Sequence, residues 1–340
     1  MVQHIDSRHI ADIRSQFSIE PIEVKRRRHG LVEIYTENGM FQGRLFKSKE
    51  AVQQVDEALR SLATAGSQAF ALPVGWPNAY RYCSSFAGWL AIYPHYDEQR
   101  DLRTDRPTAL FSALARMHRQ TKQPLTISHA FLKESGDAWL KAKKTTAESL
   151  DALIAQYDQM RYPSPFVQRF QHVYGQMRQH HEISMEVLQE SEEIVKGPAD
   201  SVMALEDASF VDQGRQSFVP PATLSHQLPA FNLAHLMGRL HHSTIDRKQA
   251  LSTYLREENI DSLNEKLILA VLLDGQPLWQ VAKQYEQRNV SKEQVWVQRM
   301  MNAEARFAAN ELWREALEQT VSQQNEKEEA VLRDETEGLE

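Results

Sequence analysis

The chain of 340 residues contains a single cysteine, Cys83. That excludes an internal disulfide framework and any multi-cysteine metal centre. No apolar run approaches the roughly 20 residues that a membrane-crossing helix needs. The opening Met1-Val-Gln-His-Ile-Asp lacks the charged-then-apolar layout of a secretory signal, so the chain is expected to stay in the compartment where it is made. Motifs that announce a chemistry are also missing. There is no Gly-rich nucleotide loop, no Gly-x-Ser-x-Gly elbow, no dinucleotide glycine fingerprint and no His-Glu-x-x-His. Positive charge is the scarcer sign: 39 Lys and Arg against 46 Asp and Glu leave a net charge of -7, which argues against general nucleic-acid binding.

What is present reads as a globular chain, 41% hydrophobic and 25% charged, long enough for one large domain or two intimate lobes with separate cores. From Glu326 the sequence is strongly acidic, so the remainder is close to neutral. No repeat of solenoid length occurs.

The first part of the chain is dense in strand signals. Ile10, Ile13 and Phe17 give a short amphipathic helix over 5–17, followed by the extended stretch Ile19 to Val24 and the basic cluster Lys25 to His29. The cluster has the charge to meet phosphate groups, but a solvated strand end is the commoner role of such a run. Leu31 to Tyr35 and Met40 to Phe46 flank Glu37-Asn38-Gly39, and Asn-Gly favours a two-residue hairpin turn. Ser48 caps a helix running to Ala65, with Val52, Val55, Leu59 and Leu62 on one stripe and Gly66 as its stop. Ala71 to Val74, Tyr80 to Cys83 and Trp89 to Tyr93 supply further strands. Nothing beside Cys83 marks a lowered thiol pKa, so it reads as buried and inert.

Helical periodicity then dominates. It runs from Pro107 through Leu114, Met117 and His118, over Phe131 to Leu153 and over Phe166 to Gln189. It resumes over Arg247 to Glu257, Leu263 to Leu273, Pro277 to Gln287 and Ser291 to Leu317. From Gln323 the aromatic content vanishes and charge rises, which predicts an unstructured tail. The pairs His180-His181 and His241-His242 invite a metal reading, but adjacent residues on a helix point in different directions. Trp76, Trp89, Tyr93 and Tyr96 can line a pocket, yet aromatic core packing is the commoner role.

The stretch from Lys196 to Leu240 interrupts this helical part. Short apolar runs at Val202 to Leu205, Ala208 to Val211 and Gln216 to Val219 are joined by Gly-centred turns and stopped by Pro220-Pro221. A helix then starts at Pro229, with Asn232-Leu233-Ala234 in its first turns. Strand, turn, strand, hairpin, strand, broken loop and helix is the order of the catalytic centre in kinase-like phosphotransferases.

On these residues the chain resembles the small-molecule branch of that fold. Around them it resembles the spore coat-associated kinase-like proteins of the CotS/YutH/YsxE group. The resemblance implies an α+β, two-lobed protein-kinase-like fold of the aminoglycoside and choline phosphotransferase type. Its parts would be a strand-rich lobe over 1–96, a helical lobe over 97–322 and an acidic tail over 323–340, with Pro94 to Glu98 as connector. It sets Lys196-Gly197-Pro198 on the family's His-Gly-Asp, so Pro198 takes the catalytic-base position. Met203 takes the place of a metal-binding Asn, Pro220 that of the main magnesium-binding Asp, and Asn232-Leu233-Ala234 that of Asp-Leu-Ala. A second register, with Asp200 as base and Asp212 as metal ligand, puts Leu205 at the Asn position and breaks the distance to Asn232. Arg44, with Lys47 as the neighbouring alternative, matches the strand lysine that anchors nucleotide phosphates, and Glu57 its helical acidic partner. His118 falls where the family has a packed Leu-Ala-x-x-His.

Phosphoryl transfer requires oxygen ligands for a hard cation and a carboxylate to orient the attacking hydroxyl. Proline has no side-chain oxygen, and methionine offers a soft thioether. The expectation is a catalytically degenerate protein that binds ATP with magnesium weakly or not at all, needs no cofactor and has no metal site. Its expected partners are spore coat proteins, with no nucleic acid and no membrane span, and its location is the mother-cell cytoplasm and then the coat. The alternative is an active small-molecule phosphotransferase with aberrant catalytic residues.

Overall fold

The computed structural model describes residues 3–4, 7–26, 30–64, 66, 70, 72–74, 82–86, 88–94, 106–124, 129–194, 199–205, 210–211, 217–218, 221, 224–240, 244–287 and 292–337. The chain begins with β1 (Gln3–His4), α1 (Ser7–Phe17), β2 (Glu23–Arg26), β3 (Leu31–Thr36), β4 (Gly39–Phe46), α2 (Lys49–Thr64), β5 (Tyr82–Ser85), β6 (Gly88–Pro94) and α3 (Arg106–Thr121). It continues with β7 (Gln123–Pro124), α4 (His129–Asp158), α5 (Pro165–Ile194), β8 (Asp200–Met203), β9 (Phe210–Val211), β10 (Ser217–Phe218) and β11 (His226–Gln227). Five helices complete it: α6 (Pro229–Arg239), α7 (Arg247–Leu255), α8 (Ser262–Leu272), α9 (Gln276–Glu286) and α10 (Glu293–Glu337).

Two compact units result. One comprises residues 1–123, 201–227 and 256–258; the other comprises 124–200, 228–255 and 259–340. The expected boundary after Tyr96 lies outside the described residues, and compactness divides the chain elsewhere. Helix α3 joins the N-terminal unit, and so do the strands around Val202 and Phe218, which were expected in the helical part. Two contacts explain this: α3 packs on β10, and Phe70 forms a parallel bridge with Phe218. The segment 256–258 is held there by Lys122 Nζ on Glu258 at 2.8 Å and by Ser112 on Glu257.

The first unit is built on an antiparallel sheet in the order β1-β2-β3-β4-β6-β5. Side chains alternate across a strand. Val32, Ile34, Leu45, Cys83, Leu90 and Ile92 therefore share one face, and Ile13 and Phe17 of α1 close it. Gly43 lies among them because a Cβ there would stand 2.7 Å from Leu90 Cδ1 and 3.1 Å from Val32 Cβ. Helix α2 packs on β4 and β6, burying Val52, Val55 and Leu59 apart from that cluster.

Three local expectations are corrected. The hairpin closes one residue early, with Thr36 opposite Gly39 and Glu37-Asn38 in the turn. Gly39 has φ +134, and Thr36 Oγ1 donates to its carbonyl at 2.8 Å, so glycine's freedom is used at the pairing position. Of the expected strand Ala71 to Val74, the described residues Leu72 to Val74 form no ladder: Pro73 has no N–H to give, and the Val74 N–H donates to Ile92 O at 2.7 Å. The tail expected to be unstructured from Gln323 instead continues α10 to Glu337. No Gly or Pro interrupts Gln323 to Glu337, and Gln, Glu, Lys, Arg and Ala are strong helix formers.

The second unit is helical. Leu150, Tyr157, Phe166, Phe170 and Met177 from α4 and α5 pack with Leu278, Tyr285, Trp296, Met300 and Phe307 from α9 and α10. The Phe166 and Tyr285 rings stack at 3.8 Å, and the Glu293 carboxylate accepts from Phe166 N at 3.0 Å, capping the start of α5.

Candidate functional site

Strand β4 carries the residue that the resemblance assigns to phosphate anchoring. Arg44 is 2% exposed and pairs in register with Leu31 of β3 and Ala91 of β6. It points away from the α1-side core, because its neighbours Gly43 and Leu45 point into that core. Lys47, one residue past the strand, is exposed. Glu57 on α2 is also exposed, and the residue before it is the inward one. Asp56 lies beside the Val52, Val55 and Leu59 stripe with its side chain 14% exposed, and its Oδ2 accepts from Arg60 Nε at 2.8 Å. The apolar stripe alone carried the signal for that choice.

Strand β8 carries Met203. It pairs with β11 through Met203 opposite His226, and the Met203 N–H donates to Thr121 Oγ1 of α3 at 3.1 Å. Its side chain is 5% exposed. A buried thioether in this position does not fit a magnesium ion, which takes oxygen ligands in octahedral geometry. Pro198 and Pro220, and Asp212 of the second register, lie outside the described residues, whereas Asp200 is exposed at the start of β8. Asn232 is buried in the first turns of α6. Among the described residues no group of three or more His, Cys, Asp or Glu is placed to hold a metal.

Of the other singled-out residues, Cys83 and His118 are buried. Burial pushes the Cys83 thiol up to about 11, with Asp12 adding to the effect, so it stays protonated and unreactive at neutral pH. Burial pushes His118 down to about 3, with Lys122 adding to it, so its ring is neutral. His180 and His181 diverge: the first approaches Glu311 at 2.9 Å, the second Asp274 at 3.4 Å. His241-His242, Trp76 and Tyr96 lie outside the described residues; Trp89 and Tyr93 are on β6.

A polar cluster that periodicity did not disclose joins α4, α5 and the turn before α9. Lys143 is 3% exposed, and its Nζ donates to Asp274 Oδ2 and to Ser184 Oγ, each at 2.8 Å. The remaining bonds run from His181 Nε2 to Lys143 O at 2.9 Å, from Ser184 Oγ to Ala270 O at 2.5 Å and from Gln276 N to Asp274 Oδ1 at 3.0 Å. Burial acts to raise the Asp274 carboxyl, but the His181 ring and the Lys143 ammonium outweigh it and hold the group below its ordinary range. Lys143 has one carboxylate against near-complete burial, and burial prevails, pushing it down.

Neither a protein-family model nor a curated protein matches the sequence. Solved structures match the fold. An aminoglycoside phosphotransferase from Alicyclobacillus acidocaldarius superposes with a TM-score of 0.67 at 12% identity, over 95% of this chain and 98% of its own. A spectinomycin phosphotransferase, solved with ADP and spectinomycin, superposes with a TM-score of 0.57 at 10% identity, over 90% and 99%. The chain therefore has the two-lobed, protein-kinase-like α+β fold of the aminoglycoside phosphotransferases. At this identity the likeness is one of fold. No helix among the described residues is long and apolar enough to cross a membrane.

Proposed function

We propose that this chain is a catalytically degenerate kinase-like protein that acts by binding other proteins. Its partners are components of the forming spore coat, met in the mother-cell cytoplasm before the protein enters the coat. The observation that carries the reading is Met203, a buried thioether where the resemblance calls for an oxygen ligand. The sequence adds Pro198 and Pro220 at the base and main metal-ligand positions. A frame with these three changes lacks both the carboxylate that orients a hydroxyl and the oxygens that hold magnesium. ATP with magnesium is accordingly not its ligand. What remains is a phosphotransferase-like scaffold with an acidic C-terminal helix and an N-terminal basic cluster, charges suited to protein docking.

The test is cellular. A fluorescent fusion is followed in sporulating cells with the chain ended before Gln323, and separately with Lys25 to Arg28 neutralised. Recruitment to the forespore that either change weakens, together with altered spores when the protein is deleted, supports the reading. If neither change nor loss of the protein alters localisation or the finished spore, the recruitment reading fails, and an unrecognised phosphotransferase activity becomes the better account.

A further inference from the structure

Helix α10 buries one side and leaves the other to solvent over several turns. Phe307, Asn310, Trp313 and Leu317 are buried where α10 packs on the other helices of its unit. The opposite side carries Met301, Ala305, Ala308 and Leu312, all four exposed. At the pitch of an α-helix these positions fall within a wedge of about 60°, so they form one continuous strip. Among the described residues six large hydrophobic side chains are exposed, and Met301 at 43% and Leu312 at 49% are two of them. They stand about three turns apart at the ends of the strip, with the two alanines between them. Single exposed apolar residues are ordinary, whereas a contiguous apolar strip is the pattern of a contact surface.

The charges that flank the strip change sign along it. Before Met301 the exposed ionic side chains of α10 are Lys292, just ahead of the helix, and Arg299, which lies 4.5 Å from the Trp296 ring. Beyond Leu312, among the described residues, they are Glu315 and Glu326. Arg314 lies in the same turn but is held by Glu311 and Glu318 of its own helix, at 3.3 and 2.9 Å. We propose that this face receives the same face of a second copy of the chain, with the two helices antiparallel about a two-fold axis between Ala305 and Ala308. The axis sets Met301 against Leu312 of the second copy, and Ala305 against Ala308 of that copy. The bulky side chains then meet at the ends, and the small ones let the helices approach closely at the centre. The same axis brings the Arg299 end of each helix to the Glu315 end of the other, whereas a parallel pair would stack like charges. A contact one helix wide is small, which places the association in the weak, reversible class. Nothing in this inference depends on the proposed role in the spore coat.

Sedimentation equilibrium of the full chain over about 1–200 μM tests it. The expected result is a reversible monomer–dimer equilibrium. A308E and L312E replace exposed side chains, so circular dichroism should show the fold kept while the dimer dissociation constant rises about tenfold. R299E, and separately E315R, should raise that constant about fivefold. R299E combined with E315R should bring it back, because each chain then meets the reversed charge on the other. A monomer throughout that range overturns the proposal. So does a dimer that A308E and L312E leave unchanged, or one that the combined charge reversal does not restore, since either assigns the contact to another face or another orientation.

Discussion

Lys143 occupies a position on α4 that its periodicity reserves for apolar side chains, between Leu140 and Ala147 on the buried stripe. A buried ion pair contributes little net stability, but stripping one partner leaves a buried charge unpaired. K143M should therefore cost about 3–5 kcal/mol in urea unfolding, whereas K143M combined with D274L should recover much of that loss. The Asp274 carboxyl is depressed in the folded state, so its contribution is present above the ordinary value of 3.8 and is lost as pH falls through the folded value. D274N should accordingly flatten the acid limb of the stability profile below about pH 4, relative to the unmodified chain. Ser18 offers a change of opposite sign. It follows α1 with φ +56, its side chain is exposed, and its N–H donates to Arg14 O at 3.1 Å. Glycine adopts that conformation without strain, so S18G should raise stability by about 0.5–1 kcal/mol in the same assay.

At the scale of elements, the sequence disclosed what local periodicity and turn chemistry encode. The stripe Val52, Val55, Leu59 marked α2, Ser48 marked its start by accepting from Ala51 N at 3.2 Å, and Gly66 marked its end with φ +78. Contacts between residues far apart in the chain were not legible. No local pattern pairs Lys143 with Asp274, or Phe70 with Phe218, because each residue alone reads as an ordinary surface or core position. In the tail, the helix propensity of Gln, Glu, Lys, Arg and Ala prevails over charge. Just before it Val321 is buried, whereas Ser322, Gln323 and Glu326 are exposed, and Gln324 reaches Asn259 at 3.3 Å. Ending the chain before Gln323 should therefore shift stability by no more than about 0.5 kcal/mol. It should also lower the far-UV helical signal by the share belonging to Gln323 to Glu337. An unchanged signal would contradict the helical assignment.

For the whole molecule, the order of strand and helix signals carried the family resemblance, and it was the resemblance that implied the fold. The candidate site was legible only by position. Pro198, Met203 and Pro220 draw attention because a resemblance says what should stand there, and nothing in their own neighbourhoods marks them as functional. The structure adds that Met203 is enclosed in β8, so a thioether is what that strand position offers. The most direct test of the degenerate-site account is thermal unfolding with millimolar ATP, with and without magnesium. A ligand at a hundredfold excess over its dissociation constant stabilises a protein by about 2.7 kcal/mol. The account predicts no magnesium-dependent rise in Tm, and a clear rise that requires both ATP and magnesium would contradict it.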